Sequence, residues 1–196
     1  VRRHLVVFAR APALGRVKSR LAAGIGASAA LAFYRRTLAT LLRRVGKDAR
    51  WHTVLAVTPD RATGKRLWPM PLPRRPQGGG DLGARMGRVF RTLPPGPVVI
   101  VGADIPEITA AHIQRAFRAL GQADAVFGPA RDGGYWLVGL RRGPALPGIF
   151  DDVRWSTKHA LADTLANLNG RRVALVDTLD DIDDATAYRR WRPLAG

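Results

Sequence analysis

Val98-Val99-Ile100-Val101 is an unbroken run of β-branched aliphatic residues that ends in Gly102-Ala103-Asp104-Ile105-Pro106. A strand with no polar alternation suits burial on both faces, which is the situation in parallel sheets covered by helices on each side. The aspartate just beyond it then stands at the carboxyl edge of the sheet, where open α/β sheets bind their ligands.

The remaining pattern points to the same architecture. Short apolar runs at residues 5–9, 53–57, 125–127, 135–140 and 173–176 read as further strands. Between them apolar residues recur at helical spacing. Residues 27–45 place Leu31, Tyr34, Leu38, Leu41, Leu42 and Val45 on one face, and residues 81–93 do so with Leu82, Met86, Val89, Phe90 and Leu93. Thr109 is positioned to cap a helix carrying Ile113, Phe117 and Leu120, and Ser156 one carrying Leu161, Leu165 and Leu168. A last helix is expected over residues 184–191. Prolines 69, 71, 73 and 76 predict a loop, and Pro94-Pro95-Gly96-Pro97 a stiff turn. Strands alternating with helices predict an α/β fold with a mostly parallel sheet. No repeat or linker divides the 196 residues, so one domain over 1–196 is expected.

Composition narrows the chemistry. There is no cysteine, which excludes a disulfide framework, a thiolate zinc site and a cysteine nucleophile. The longest apolar runs have five to six residues, too few to span a bilayer, and Arg10 cuts short the apolar stretch that follows Arg2 and Arg3. A cytoplasmic location is the expectation. Residues 1–100 hold 20 basic and 3 acidic side chains, whereas residues 101–196 hold 12 of each. A basic half beside a balanced half with clustered aspartates suits a polyphosphate bridged by a cation, and equally describes an arginine-rich solvated surface. Nucleic acid is not the expected partner, because no helix-turn-helix, zinc-finger or RNA-recognition signature is present.

Candidate residues follow the strands. The loop after the first strand carries Arg10, Arg16, Lys18 and Arg20 around Gly15, four cations that can embrace phosphate oxygens. Leu21-Ala22-Ala23-Gly24-Ile25-Gly26 starts too far beyond that strand for a phosphate loop and reads as the entry to a helix. Gln77-Gly78-Gly79-Gly80-Asp81 leads into a helix whose free N–H groups and Arg85 can approach an anion, with Asp81 also suited to cap it. Asp104 can hold Mg²⁺ or Mn²⁺. Asp132, at the corner of a Gly-rich turn, can act as a base, touch substrate or assist a metal, or simply turn the chain. Trp155 can stack on a sugar or base, or serve as core. Five aspartates lie in the eight residues 177–184, where Asp181 and Asp183 share a side and can add a second metal carboxylate, while Asp183 or Asp184 can cap the last helix.

In this order the motifs Phe8-Ala9-Arg10, Gly15-Arg16-Val17-Lys18-Ser19-Arg20-Leu21, Gln77 with Gly80-Asp81-Leu82-Gly83 and Arg85-Met86, Gly102-Ala103-Asp104-Ile105-Pro106, Gly128-Pro129 with Asp132-Gly133-Gly134-Tyr135-Trp136, and Trp155-Ser156-Thr157 resemble a bacterial family of GT-A-like glycosyltransferases. These are the nucleotide-diphospho-sugar transferases, some linked to arsenosugar biosynthesis. More distantly the chain is similar to phospholactate and molybdenum-cofactor guanylyltransferases. The resemblance implies a three-layer α/β/α sandwich, a nucleotide held at the first-strand loop, and Mg²⁺ or Mn²⁺ at Asp104. One departure concerns Asp183: relatives often close with Asp-x-Asp-Thr-Pro-Glu-Asp, whereas here Asp181-Ile182-Asp183 runs into Asp184-Ala185-Thr186-Ala187.

The expected function is metal-dependent glycosyl transfer from a nucleotide-sugar donor to a small-molecule acceptor. Arg10, Gly15, Lys18, Arg20, Gln77, Asp81, Arg85 and Trp155 would bind the donor. Asp104 and Asp183 would hold the metal, and Lys18, Arg20 and Asp132 would act in catalysis. The alternatives are a nucleotidyltransferase using a nucleoside triphosphate and a basic nucleic-acid-binding protein without chemistry.

Overall fold

In the computed structural model, residues 1–142 and 148–191 are described. The chain runs β1 (His4–Arg10), α1 (Ser19–Ile25), α2 (Ala27–Val45), β2 (His52–Thr58), β3 (Arg74–Pro76), α3 (Leu82–Thr92), β4 (Val98–Gly102), α4 (Ala110–Ala119), β5 (Ala125–Pro129), β6 (Tyr135–Leu140), α5 (Ala160–Ala166), β7 (Val173–Leu175) and α6 (Ala185–Trp191). The seven strands form one sheet in the order β3-β2-β1-β4-β6-β5-β7. Among the described residues only β6 runs against its neighbours, pairing antiparallel with both β4 and β5.

Alternate residues of each central strand feed two cores, as a pleated strand requires. Leu5, Val7, Leu55, Val99 and Val101 face α2 and α4, packing with Leu38, Leu41, Leu42, Ile113 and Phe117. Val6, Val54, Val98, Ile100 and Phe127 face the other way, against Met86, Val89 and Phe90 of α3 and the partly buried Leu161 and Leu165 of α5. This is the expected α/β/α sandwich. A third, smaller cluster ties α1, α2 and α6 together through Leu21, Phe33 and Ile182, with Tyr188 and Trp191 packed against it.

Capping chemistry sets several boundaries. The Asp81 carboxylate accepts from Ala84 N at 2.8 Å to start α3. Thr109 and His112 form a reciprocal capping box at the start of α4. Asp184 accepts from Ala187 N at 2.7 Å at the start of α6.

Three local expectations need correction. The proline-rich stretch contains β3, which pairs parallel with β2 at the sheet margin; Pro76 is tolerated there because an edge strand leaves one side without ladder partners. Residues 21–26 lead into the long helix, with Gly26 at its N-cap, but are themselves helical: they complete the separate helix α1, and Gly24 lies where a β-carbon would overlap Ala185 of α6. Ser156 does not cap α5, which begins at Ala160; Ser156 instead adopts a left-handed backbone with φ 59°.

Several arginines of the basic half are used internally. Arg75 donates to Thr92 O, at the end of α3, at 2.9 Å. Arg44 donates to Pro106 O at 2.7 Å and Ile108 O at 3.2 Å, pinning the turn after β4. Among the described residues no helix is long and apolar enough to cross a membrane.

Candidate active site

The strand registers bring the ends of β1, β2, β4 and β5, the start of β6 and the exit of β7 to one edge of the sheet. The motif-bearing loops leave from that edge.

The first-strand loop is fixed at both ends. Arg10 N donates to the Tyr34 hydroxyl, which donates back to Arg10 O, both at 2.9 Å. Burial, and then the charge of Asp104, push the Tyr34 hydroxyl pKa far above its ordinary value, so it stays a neutral donor. Gly15 turns the loop with φ 68°. Lys18 follows in a left-handed conformation, φ 51° and ψ 49°, which directs its side chain inward, where only 4% of it is exposed.

The Lys18 ammonium lies among three carboxylates. It is 2.9 Å from Asp104 Oδ2, 2.6 Å from Asp183 Oδ1 and 3.8 Å from Asp181 Oδ2. Each of these aspartates offers an oxygen within 4.8 Å of the others. Burial works against the Lys18 charge, but Asp104 and Asp183 outweigh it and raise its pKa. Burial likewise opposes ionisation of Asp183, and Lys18 overcomes it to hold that carboxyl below the usual range. Burial and the neighbouring Asp183 push Asp181 up to about 7. The site therefore contains an ionised pair and a carboxyl that ionises reluctantly.

The 177–184 segment is laid along the sheet edge by partners for each of its aspartates. Asp177 accepts from Arg115 Nε at 2.8 Å, and its carbonyl accepts from Trp136 Nε1 at 2.8 Å. Asp180 accepts from the backbone N–H of Arg131 and pairs with its guanidinium. Asp181 and Asp183 enter the triad while Ile182 between them is buried in the opposite direction, and Asp184 caps α6.

The triad stands where two cavities of about 640 Å³ adjoin. The first is lined by Arg10, Arg16, Lys18, Arg20 and Arg85 together with Asp104. The second is lined by Asp132, Arg131, Asp181 and Glu107. Arg20 and Asp183 line both, joined by a 2.5 Å ion pair. Among the described residues, Arg10, Arg16 and Arg85 have no carboxylate partner. Arg85 instead donates to Gly80 O at 2.9 Å.

The expected site residues thus divide. Arg10, Lys18, Arg20, Arg85, Asp104 and Asp183 meet in the first cavity. Gln77 reaches its wall, buried, with Nε2 donating to Ala56 O at 2.8 Å. Asp132 lies in the second cavity, where its Oδ1 accepts from Gly134 N at 2.9 Å. Gly15 shapes the loop without lining either cavity. Asp81 is engaged as a helix cap and lines a separate cavity beside Phe90 and Phe150. Trp155 packs on Phe150 and Tyr135, with ring centroids 6.0 and 6.3 Å away, and it is Ser156 that lines the first cavity. Beyond the expected set, Tyr34 and Ser156 border the first cavity, and Asp181, offered by its spacing from Asp183 as a further carboxylate, joins the triad.

The fold is that of the nucleotide-diphospho-sugar transferases. The chain belongs to the family described as "Uncharacterized protein conserved in bacteria (DUF2064)", whose model matches residues 41–157. A protein from Desulfovibrio desulfuricans G20, described as a candidate nucleotide-diphospho-sugar transferase, superposes with a TM-score of 0.86 at 26% identity, covering 93% of this chain and 82% of its own. The 4-diphosphocytidyl-2C-methyl-D-erythritol synthase of Anaerococcus prevotii DSM 20548 superposes at 0.64 with 12% identity, covering 99% and 98%. Rv0371C of Mycobacterium tuberculosis H37Rv, in complex with manganese, does so at 0.54 with 15% identity, covering 97% of each chain. At those last two identities the likeness concerns the fold. No curated protein matches the sequence.

Proposed function

We propose that this protein is a metal-dependent glycosyltransferase that takes a nucleotide-sugar donor and a small-molecule acceptor. The observation that carries the reading is the meeting of the first-strand-loop cations Lys18 and Arg20 with the Asp104, Asp181 and Asp183 carboxylates where two cavities adjoin at the carboxyl edge of the sheet. Three carboxylates form a hard oxygen set of the kind that suits Mg²⁺ or Mn²⁺. The likeness to the Desulfovibrio protein over most of both chains supports the donor class, and the manganese in the Mycobacterium structure supports the metal.

In this reading Arg10, Arg16 and Arg85 receive the donor diphosphate, with Arg20 at the boundary between the cavities. A bound divalent ion supplies positive charge that stabilises the departing diphosphate. Asp132 faces the adjoining cavity, where its Oδ2 remains to accept a proton from the acceptor hydroxyl. The acceptor oxygen bonds to the anomeric carbon as the bond from that carbon to the diphosphate breaks. The proton passes to Asp132 and the electron pair leaves with the nucleoside diphosphate.

Calorimetric titration with nucleoside diphosphates, nucleotide sugars and nucleoside triphosphates, with and without Mn²⁺, tests this. Metal-dependent binding of a diphosphate and its sugar conjugate is the expected result. Selective binding of one triphosphate would replace glycosyl with nucleotidyl transfer, and binding to none would remove the donor site altogether.

A further inference from the structure

We propose that Lys18 is a displaceable internal cation: it holds the carboxylate triad together when no divalent ion is bound, and it must leave the triad for that ion to enter. The inference rests on the metal-dependent reading above and concerns how the ion is admitted.

Three observations carry it. Among the described residues, Lys18 is the one cation within 4.0 Å of Asp104 or Asp181, while Asp183 is shared with Arg20. Its ammonium touches two of the three oxygens that would ligate an ion and stands 3.8 Å from the third. Those oxygens lie within 4.8 Å of one another, so an ion at its usual distance of about 2.1 Å would meet Nζ inside the same space, and two like charges do not share it. The lysine also has somewhere to go. It borders the cavity that contains Arg10, Arg16 and Arg85, and a four-carbon stem lets the ammonium swing there.

Lys18 thus has two anionic partners in succession, the triad and then the donor diphosphate. An ion arriving alone displaces the ammonium into a cavity already crowded with arginines. An ion arriving with the diphosphate gives the ammonium a new partner, so each ligand strengthens binding of the other.

Binding of Mn²⁺ to Lys18→Met, followed without nucleotide by the paramagnetic resonance of free Mn²⁺, is expected to be about tenfold tighter than to the wild type. Equal or weaker binding overturns the proposal. Because three carboxylates without a counter-cation can impair folding, a second measurement uses the wild-type chain. Brief acetylation with acetic anhydride, read by peptide mass spectrometry, compares Lys18 with the exposed Lys47, Lys65 and Lys158. Saturating Mg²⁺ should raise the Lys18 rate severalfold and leave the other three unchanged. An unaltered Lys18 rate while Mg²⁺ demonstrably binds overturns the displacement. If Mn²⁺ binds neither protein, the metal-dependent reading fails and this inference with it, a result distinct from equal binding to both.

Discussion

Lys18 Nζ and Asp183 Oδ1 are 165 residues apart in the chain and 2.6 Å apart in the structure. The contact joins the loop after the first strand to the segment before the last helix. It is backed by the small core in which Leu21 and Phe33 meet Ile182. The triad carboxylates that flank Ile182, Asp181 and Asp183, are therefore placed by packing behind them as well as by the cation in front.

Ile182→Ala should expose that dependence. Ile182 is 5% exposed and lies between the two carboxylates, so its truncation opens a cavity directly beneath them. Loss of about 2–4 kcal/mol in urea unfolding is expected. Mn²⁺ affinity should fall as well, although no ligand is touched. Unchanged affinity in the folded variant would show that Asp181 and Asp183 are positioned without this anchor.

Gly133→Ala should be among the costlier small substitutions. Gly133 has φ 87°, its β-carbon would overlap the Lys158 backbone, and its carbonyl accepts from Leu161 N at 3.0 Å. Strain and overlap together predict a loss of at least about 2 kcal/mol in thermal or urea unfolding. The displaced turn carries Asp132, so turnover should fall in parallel. A variant as stable as the wild type would contradict the close approach.

Ser156→Gly should move stability and binding in opposite directions. A serine held at φ 59° pays backbone strain that glycine does not, which predicts a gain of up to about 1 kcal/mol in unfolding free energy. Ser156 borders the cavity proposed to receive the donor, so donor binding measured by calorimetry should weaken. Equal donor affinity would place Ser156 outside the binding surface.

Acidification should destabilise the fold through His4. This side chain is 1% exposed at the start of β1, and neither ring nitrogen meets a hydrogen-bond partner among the described residues. Burial, together with the nearby charges of His52, Arg142 and Arg2, lowers its pKa below the ordinary 6.5. The unfolded chain then binds the proton at higher pH than the folded chain. Its contribution to stability is complete above about 6.5 and falls as the pH drops below that value. Melting temperatures measured from about pH 8 to about pH 5 should decline less steeply for His4→Phe than for the wild type. Parallel slopes would exclude His4 as the source.

The sandwich was legible because strands and helices announce themselves by period, and Asp104 because a buried strand delivers it to the sheet edge. Capping by Thr109 and Asp81 was legible for similar local reasons. The misreadings arose where tertiary contacts decide. Ser156 has a capping residue's chemistry, yet Arg154 reaches Asp163 through its backbone N–H and guanidinium and holds the segment in an irregular turn ahead of α5. For Trp155, read either as a stacking platform or as core, Gly83 leaves a recess in α3 into which its ring packs, which no local pattern discloses. The ammonium of Lys18 within the triad has no local signature, since its three partners come from the far half of the chain.

In the proposed reaction the triad and the donor diphosphate share one divalent ion. Pulsed electron–nuclear double resonance on the protein with Mn²⁺ and a nucleoside diphosphate tests it directly. The wild type is expected to show ³¹P hyperfine coupling to protein-bound Mn²⁺, lost together with Mn²⁺ binding in Asp104→Asn. Bound Mn²⁺ without ³¹P coupling, or the same coupled signal in Asp104→Asn, would contradict it.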